Sequence, residues 1–275
     1  MMKTHRLMGY SLLTALLLFV SVSTSHAQCT FRNTAFNSGE FLTYNLYFNW
    51  KFVWVKAGTA SMYTVSSVYK GKDAYRSSLT TRGNARADKM FLMRDTLLSY
   101  VTKDMAPLYY RKGAKEGDRY TVDEVFYSYP NGQTHVKQHR MGNDKKHHWE
   151  EHTYSDCVYD MLSIFQRARS FKPDTWKKGY IVNFPIVDGN SRDKARLVYS
   201  GKTNVKGDNN IKYRCLELSY EEWKGGKWKT IATFFISDDQ NHIPIRIDMH
   251  LKFGSAKAFL ISVKGNRNPI TSQVK

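Results

Sequence analysis

Between residues 39 and 264, apolar and polar side chains alternate with a period of two, and short polar turns interrupt the alternation. A period of two sends successive side chains to opposite faces of an extended chain, so each such segment buries one face and wets the other. Leu42, Tyr44, Leu46 and Phe48 share one face of a first strand that opens at Gly39-Glu40. A second strand spans about 53–68 with the small residues Gly58 and Ala60 inside it, and Lys70-Gly71-Lys72-Asp73 turns the chain into a third near 74–81. Segments 120–129 and 133–140 flank Pro130-Asn131-Gly132; segments 213–223 and 228–237 flank Lys224-Gly225-Gly226-Lys227. Both connections are hairpin signatures. In the clearest strand, Ile243, Ile245, Ile247, Met249 and Leu251 alternate with Pro244, Arg246, Asp248, His250 and Lys252, which puts Pro244 and Arg246 on the outward face. Gly254-Ser255 leads into a last strand over 258–264.

One stretch follows a different rhythm. From Val158, apolar residues fall at Met161, Leu162, Phe165 and Ala168, the spacing of one helical face. Ser155 or Asp156 is placed to cap such a helix, Asp160 suits its positive end, and Pro173 stops it. Its packing is expected to bury Met161, Leu162 and Phe165. A weaker helical turn falls near 85–93. The polar stretch 142–155 is the best candidate for a boundary between halves, but no linker composition marks it. The expected fold is therefore mainly β: a large curved antiparallel meander forming an open or flattened barrel, with one packed amphipathic helix near 157–170. A long sheet curls because twist accumulates and bare edges invite pairing.

Lys3, His5 and Arg6 precede a short apolar run at 12–20, and small residues end at Ser25-His26-Ala27-Gln28. This is the layout of a secretory signal peptide cut after Ala27; the run is too short for a membrane span of about 20 residues. Residues 1–27 are thus read as a cleaved signal and 28–275 as one β domain with no transmembrane segment. Gln28 before Cys29 disfavours lipid attachment, which wants a small residue there. Three cysteines remain, Cys29, Cys157 and Cys215. Export permits one bridge, and the spacing does not choose the pair.

The chain carries 42 Lys+Arg against 24 Asp+Glu, a net charge of +18. Nucleic acid is excluded as a partner by the export signal and by the lysine placement: Lys70/Lys72, Lys112/Lys115, Lys145/Lys146, Lys177/Lys178 and Lys224/Lys227 fall at expected turns. Acidic glycans, lipid headgroups or an envelope protein remain as partners, attracted by charge that salt screens within about 8 Å. Trp50, Phe52 and Trp54 alternate near the first hairpin and suit either the core or sugar stacking at a glycan-binding surface.

His148-Trp149-Glu150-Glu151-His152 fits the H-x-x-E-H pattern of a zinc hydrolase. That chemistry needs a helix, and no helical periodicity surrounds it. On a strand, His148, Glu150 and His152 share a face and Glu151 points away, so a solvated polar segment is the better reading. His135 and His139 meet the same objection. No G-x-S-x-G, G-x-x-x-x-G-K, G-x-G-x-x-G or C-x-x-C occurs. Asp238-Asp239 are adjacent and would face opposite sides of a strand, so a turn-capping role fits them better than paired-carboxylate catalysis.

Gly39-Glu40-Phe41-Leu42 with Tyr44 and Leu46, then Ala57-Gly58-Thr59-Ala60, resembles the opening of the exported bacterial family catalogued as domain of unknown function 3108. Tyr159-Asp160-Met161-Leu162-Ser163 resembles its helical segment. Ile236-Ser237-Asp238-Asp239, His242-Ile243-Pro244-Ile245-Arg246 and Gly254 resemble its closing block, with Phe235 where a tryptophan is expected. The resemblance covers roughly 36–265. It implies a periplasmic or surface protein of a Gram-negative-type bacterium, with a curved sheet around an inserted segment, similar to the half-barrels of lipoprotein carriers. It brings no catalytic residue, metal or cofactor. Its motif positions Gly39, Glu40, Gly58, Asp160, Asp238, Pro244 and Arg246 read as structural. The functional expectation is a non-enzymatic envelope protein holding an apolar or amphipathic ligand, or a partner segment, in a concave sheet.

Overall fold

The computed structural model describes residues 29–50, 53–89, 92–251 and 254–275. The expected signal segment, Phe52 and the Trp50 side chain lie outside the described residues. Fifteen strands follow in chain order. The first eight are β1 (Phe36–Trp50), β2 (Val53–Tyr69), β3 (Lys72–Gly83), β4 (Met93–Thr102), β5 (Pro107–Glu116), β6 (Arg119–Ser128), β7 (Thr134–Met141) and β8 (His147–Tyr154). The rest are β9 (Ile181–Asp188), β10 (Ser191–Lys206), β11 (Lys212–Lys224), β12 (Lys227–Ser237), β13 (Pro244–Leu251), β14 (Gly254–Asn266) and the short β15 (Gln273–Val274). A one-turn helix α1 (Ala85–Asp88) follows β3, capped by the Asn84 side chain, and α2 (Met161–Ala168) lies between β8 and β9.

All strands join one antiparallel sheet in the order β8-β7-β6-β5-β4-β3-β2-β1-β14-β13-β12-β11-β10-β9, with β15 on β11. Apart from β15 on β11, every neighbour is a sequence neighbour except β1 and β14, which pair through Leu42–Val263, Tyr44–Leu260 and Leu46–Ala258. The sheet therefore meanders from its middle to both edges, and its open seam lies between the consecutive strands β8 and β9. The connection across that seam is residues 155–180, a strap that carries α2. The edge of β9 is partly covered by the strap: Tyr159 bridges Ile186 in parallel, and the Val187 N–H donates to the Tyr159 carbonyl at 2.8 Å. Among the described residues, β8 pairs with β7 alone.

The alternation expected from sequence decides what faces inward. Leu42, Tyr44, Met62, Leu97, Tyr110, Val125 and Val136 from one half of the sheet meet Cys215, Ile243, Ile245 and Leu260 from the other, with Val158 and Leu162 of the strap between them. Ile164, on the opposite side of α2, packs with Phe184, Ile186 and Leu197 of β9 and β10. The concave side is thus filled by the chain's own helix.

Five local expectations need correction. The helix begins at Met161, with Asp160 rather than Ser155 or Asp156 as its cap. Met161 is 42% exposed, whereas Ser163, Ile164 and Gln166 are buried, because α2 lies between two sheet walls and presents two faces to them. Pro244 is buried rather than outward: a register shift between Phe235 and Ile236 brings it opposite Ile236 and breaks the alternation at the start of β13. Lys112 and Lys115 lie within β5, not at a turn, and the stretch 142–155 is the β7–β8 turn, β8 and the start of the strap.

Candidate functional site

The motif positions hold the strap in place. Glu40, on the inward face of β1, meets Arg169, the residue that closes α2, in a two-pronged ion pair: Nη1 donates to Oε2 at 2.6 Å and Nη2 to Oε1 at 2.8 Å. These side chains are 1% and 2% exposed. Two charges taken that far from water need every donor occupied. Arg169 Nε and Nη2 also donate to the Asn241 carbonyl at 3.1 and 3.0 Å. One turn earlier, Gln166 Nε2 donates to Thr64 Oγ1 at 2.8 Å and to Ser77 Oγ at 2.9 Å. Asp160 accepts from the Ser163 N–H at 2.8 Å while the Ser163 hydroxyl accepts from the Asp160 N–H, a reciprocal cap. Full burial pushes the Asp160 carboxyl up to about 6, against the hydrogen bonds from Ser163 and Ser99 that favour its charge.

The remaining motif residues act in turns and close approaches. Gly39 has φ +94, open to glycine without strain. At Gly58 a Cβ would stand 2.1 Å from the Arg82 carbonyl oxygen, so only glycine lets β2 and β3 approach there. Asp238 is held by Arg214 at 2.7 Å and Lys202 at 2.9 Å, which keep its carboxyl below the usual range despite burial. Asp239 Oδ1 accepts the Asn241 N–H at 3.0 Å, a turn cap as expected. Arg246 pairs with Asp248 and covers the Phe235 and Phe259 rings at 4.9 and 5.5 Å, on the outward face. Cys29 and Cys157 form a disulfide with a Cα–Cα distance of 5.4 Å, and Cys215 is a buried free thiol.

The histidine motif does not assemble. His148 and His152 lie on strand β8, and Glu151 turns to the other face, where Lys137 holds it at 2.7 Å. Among the described residues, no group of three His, Cys, Asp or Glu side chains is placed to hold a metal ion. The tip of the β9–β10 hairpin instead docks against β5–β7 from inside. Gln138 Nε2 donates to the Gly189 carbonyl at 2.6 Å, Lys112 stands 3.6 Å from Asp188, and Arg140 stands 3.6 Å from Asp123. Burial and the neighbouring Asp188 raise the Asp123 carboxyl, while Arg140 and Lys112 oppose them.

The outward face carries an arrangement that no single segment announces. Tyr69, Tyr100, Tyr109, Phe126 and Trp149, from β2, β4, β5, β6 and β8, form a row of rings. Centroids are 5.0 Å apart for Tyr69–Tyr100, 5.7 Å for Tyr69–Tyr109, 5.1 Å for Tyr109–Phe126 and 6.3 Å for Phe126–Trp149. A polar chain runs beside it. The Tyr109 hydroxyl donates to Glu124 Oε1; Glu124 Oε2 meets His139 Nδ1 at 2.9 Å; His139 Nε2 meets His147 Nδ1 at 2.8 Å. With both imidazoles neutral, His139 donates to Glu124 and His147 donates to His139, which leaves His147 Nε2 as an outer acceptor. The sequence signal for this row is an aromatic at a polar-face position in β2, β4, β5, β6 and β8, with none from β3 or β7, and its alignment depends on strand register. Trp54, the expected surface aromatic, stands elsewhere with Lys257 4.3 Å over its ring.

Comparison with known proteins agrees with this architecture. The crystal structure of a beta-barrel-like protein of domain of unknown function DUF1849 from Brucella abortus is similar, with a TM-score of 0.54 at 13% identity, covering 84% of this chain and 98% of that one. At that identity the likeness is one of fold alone. No curated protein matches the chain. The family model described as protein of unknown function DUF3108 matches residues 43–261, from β1 to β14, and the chain belongs to that family.

Proposed function

We propose that the chain is an exported, non-enzymatic protein of a bacterial cell envelope, periplasmic or at the outer surface, that binds an apolar or amphipathic ligand or partner segment at the mouth of its curled sheet. Export is supported by the signal-like residues 1–27 and by a disulfide from Cys29, since such bridges persist in oxidising compartments. The observation that carries the binding reading is a small apolar recess of about 10 Å³ between the strap and the sheet. Ala168, Phe171, Pro173 and Trp176 form its strap wall, Leu216, Leu218 and Ile236 its sheet wall, and His242 its one polar member. Pockets that swallow whole ligands run from about 300 to 1,000 Å³. As it stands the recess has room for a water-sized group, so an acyl-chain end or an apolar side chain enters it only as the strap wall gives way, with the polar remainder left in water.

Native mass spectrometry of the mature protein from its own host tests this reading. An adduct removed by organic solvent is expected, and Ala168→Phe, which blocks the recess, is expected to abolish it while circular dichroism shows the fold retained. Repeatedly adduct-free spectra would retire the proposal. The zinc alternative at His148 and His152 predicts stoichiometric zinc in the same spectra.

A further inference from the structure

We propose that the outward aromatic row is a binding site for an extended polysaccharide that carries carboxylate groups. The row crosses from β2 to the open edge at β8 with centroid spacings of 5.0–6.3 Å; Tyr109 and Phe126 face each other on neighbouring strands, while Tyr69 and Trp149 reach across β3 and β7 to join them. Flat rings present an apolar face to the C–H face of a pyranose, while the hydroxyls of Tyr69 and Tyr100 and the outer nitrogen of His147 meet sugar hydroxyls.

Cross-strand aromatic pairs also brace sheets, and bracing alone would produce part of this pattern. Two features go beyond bracing. Trp149, at the end of the row, is 51% exposed on a strand whose far edge is unpaired among the described residues. Positive charge stands along the rings: Lys70 Nζ lies 5.6 Å from the Tyr69 centroid and 5.8 Å from that of Phe126, and Lys137 Nζ lies 5.2 Å from that of Trp149. The carboxylates on this face are already engaged, Glu124 by Tyr109 and His139, and Glu151 by Lys137 and His135. Lys70 and Arg111 have no carboxylate partner among the described residues, and Arg111 touches only the Tyr120 hydroxyl, at 3.4 Å. Stacking rings beside unpaired cations match an acidic sugar chain better than a neutral one. They also match it better than a lipid surface, because half-buried rings with phenolic hydroxyls give acyl chains no depth to enter.

This site is separate from the recess, and its test does not depend on an adduct there. The mature chain is titrated with oligogalacturonate while tryptophan emission and the heat of binding are followed, the heat giving the affinity of variants that lack Trp149, with polyacrylate as a polyanion lacking sugar rings, a neutral cello-oligosaccharide, and anionic phospholipid vesicles as comparisons. The expected result is quenching by oligogalacturonate alone. Affinity should fall about fivefold or more in Trp149→Ala, the scale of one aromatic contact, and in Lys70→Asn, which keeps the left-handed turn at that position. Trp54→Ala, away from the row, should bind unchanged. Equal binding of polyacrylate would reduce the interaction to bulk charge, and equal binding of the neutral sugar would remove the role of the cations. Binding of vesicles in place of oligogalacturonate would give the face to lipid. Any of these, full affinity in both row variants, or no binding at all overturns the proposal; circular dichroism of each variant separates lost binding from lost folding.

Discussion

At Asp160 one side chain serves two opposed requirements. It caps α2, which favours an acceptor there, and it is fully buried, which disfavours its charge. Its carboxyl titrates near 6 in the folded protein against 3.8 ordinarily. A raised acid binds more protons folded than unfolded, so its contribution to stability falls as pH rises from about 4 to 6 and stays lost above. Asparagine caps as well as aspartate and carries no charge. Asp160→Asn should therefore equal the parent at pH 4 in urea unfolding and exceed it by up to about 3 kcal/mol at pH 8. The Glu40–Arg169 pair behaves differently, since removing one partner strands the other in the core. Glu40→Gln should cost about 3–5 kcal/mol. Burial pushes the Cys215 thiol up to about 12, so alkylation at pH 8 should label the native chain negligibly and the unfolded, unreduced chain once.

The strap and the N-terminal arm form a unit at the next scale. Besides the disulfide, Arg167 Nη1 donates to the Cys29 carbonyl at 3.0 Å and its guanidinium covers the Phe31 ring at 4.4 Å. The Thr34 N–H donates to Ser170 Oγ at 3.0 Å. The arm is pinned to the strap, and the strap to the sheet through Gln166 and Arg169. Because the bridge closes a separation of 128 residues, its loss is expected to destabilise by up to about 4–5 kcal/mol. Cys157→Ser should show this in denaturant titration, with early protease cutting in the arm. The amphipathic pattern at 161–168 was readable as a helix. Its buried Gln166 was not, because its partners Thr64 and Ser77 are 102 and 89 residues away.

Over the whole molecule, the pairing of β1 with β14 makes each half of the chain the continuation of the other's sheet. Trypsin acting at the exposed Lys177-Lys178 turn should leave two fragments that still elute together in size-exclusion chromatography. Fragments that separate and stay folded would contradict one continuous core.

The positions of β1–β3, β6, β7 and β11–β14, two hairpin turns, the helix and the family are legible in the linear chain, because period, turn chemistry and motif order are local properties; β4, β5, β8, β9 and β10 are not placed by that pattern. Pro244 shows the limit of that reading: alternation sent it outward, and a register shift against a neighbouring strand buried it. The choice of Cys29 and Cys157 over Cys215, the opening of the sheet between β8 and β9, the Glu40–Arg169 contact and the alignment of the outer rings belong to the tertiary structure. Each is a meeting of positions on different strands or far apart in sequence. Curvature and register decide which of these meet, and a pattern that repeats every two residues carries no information about either.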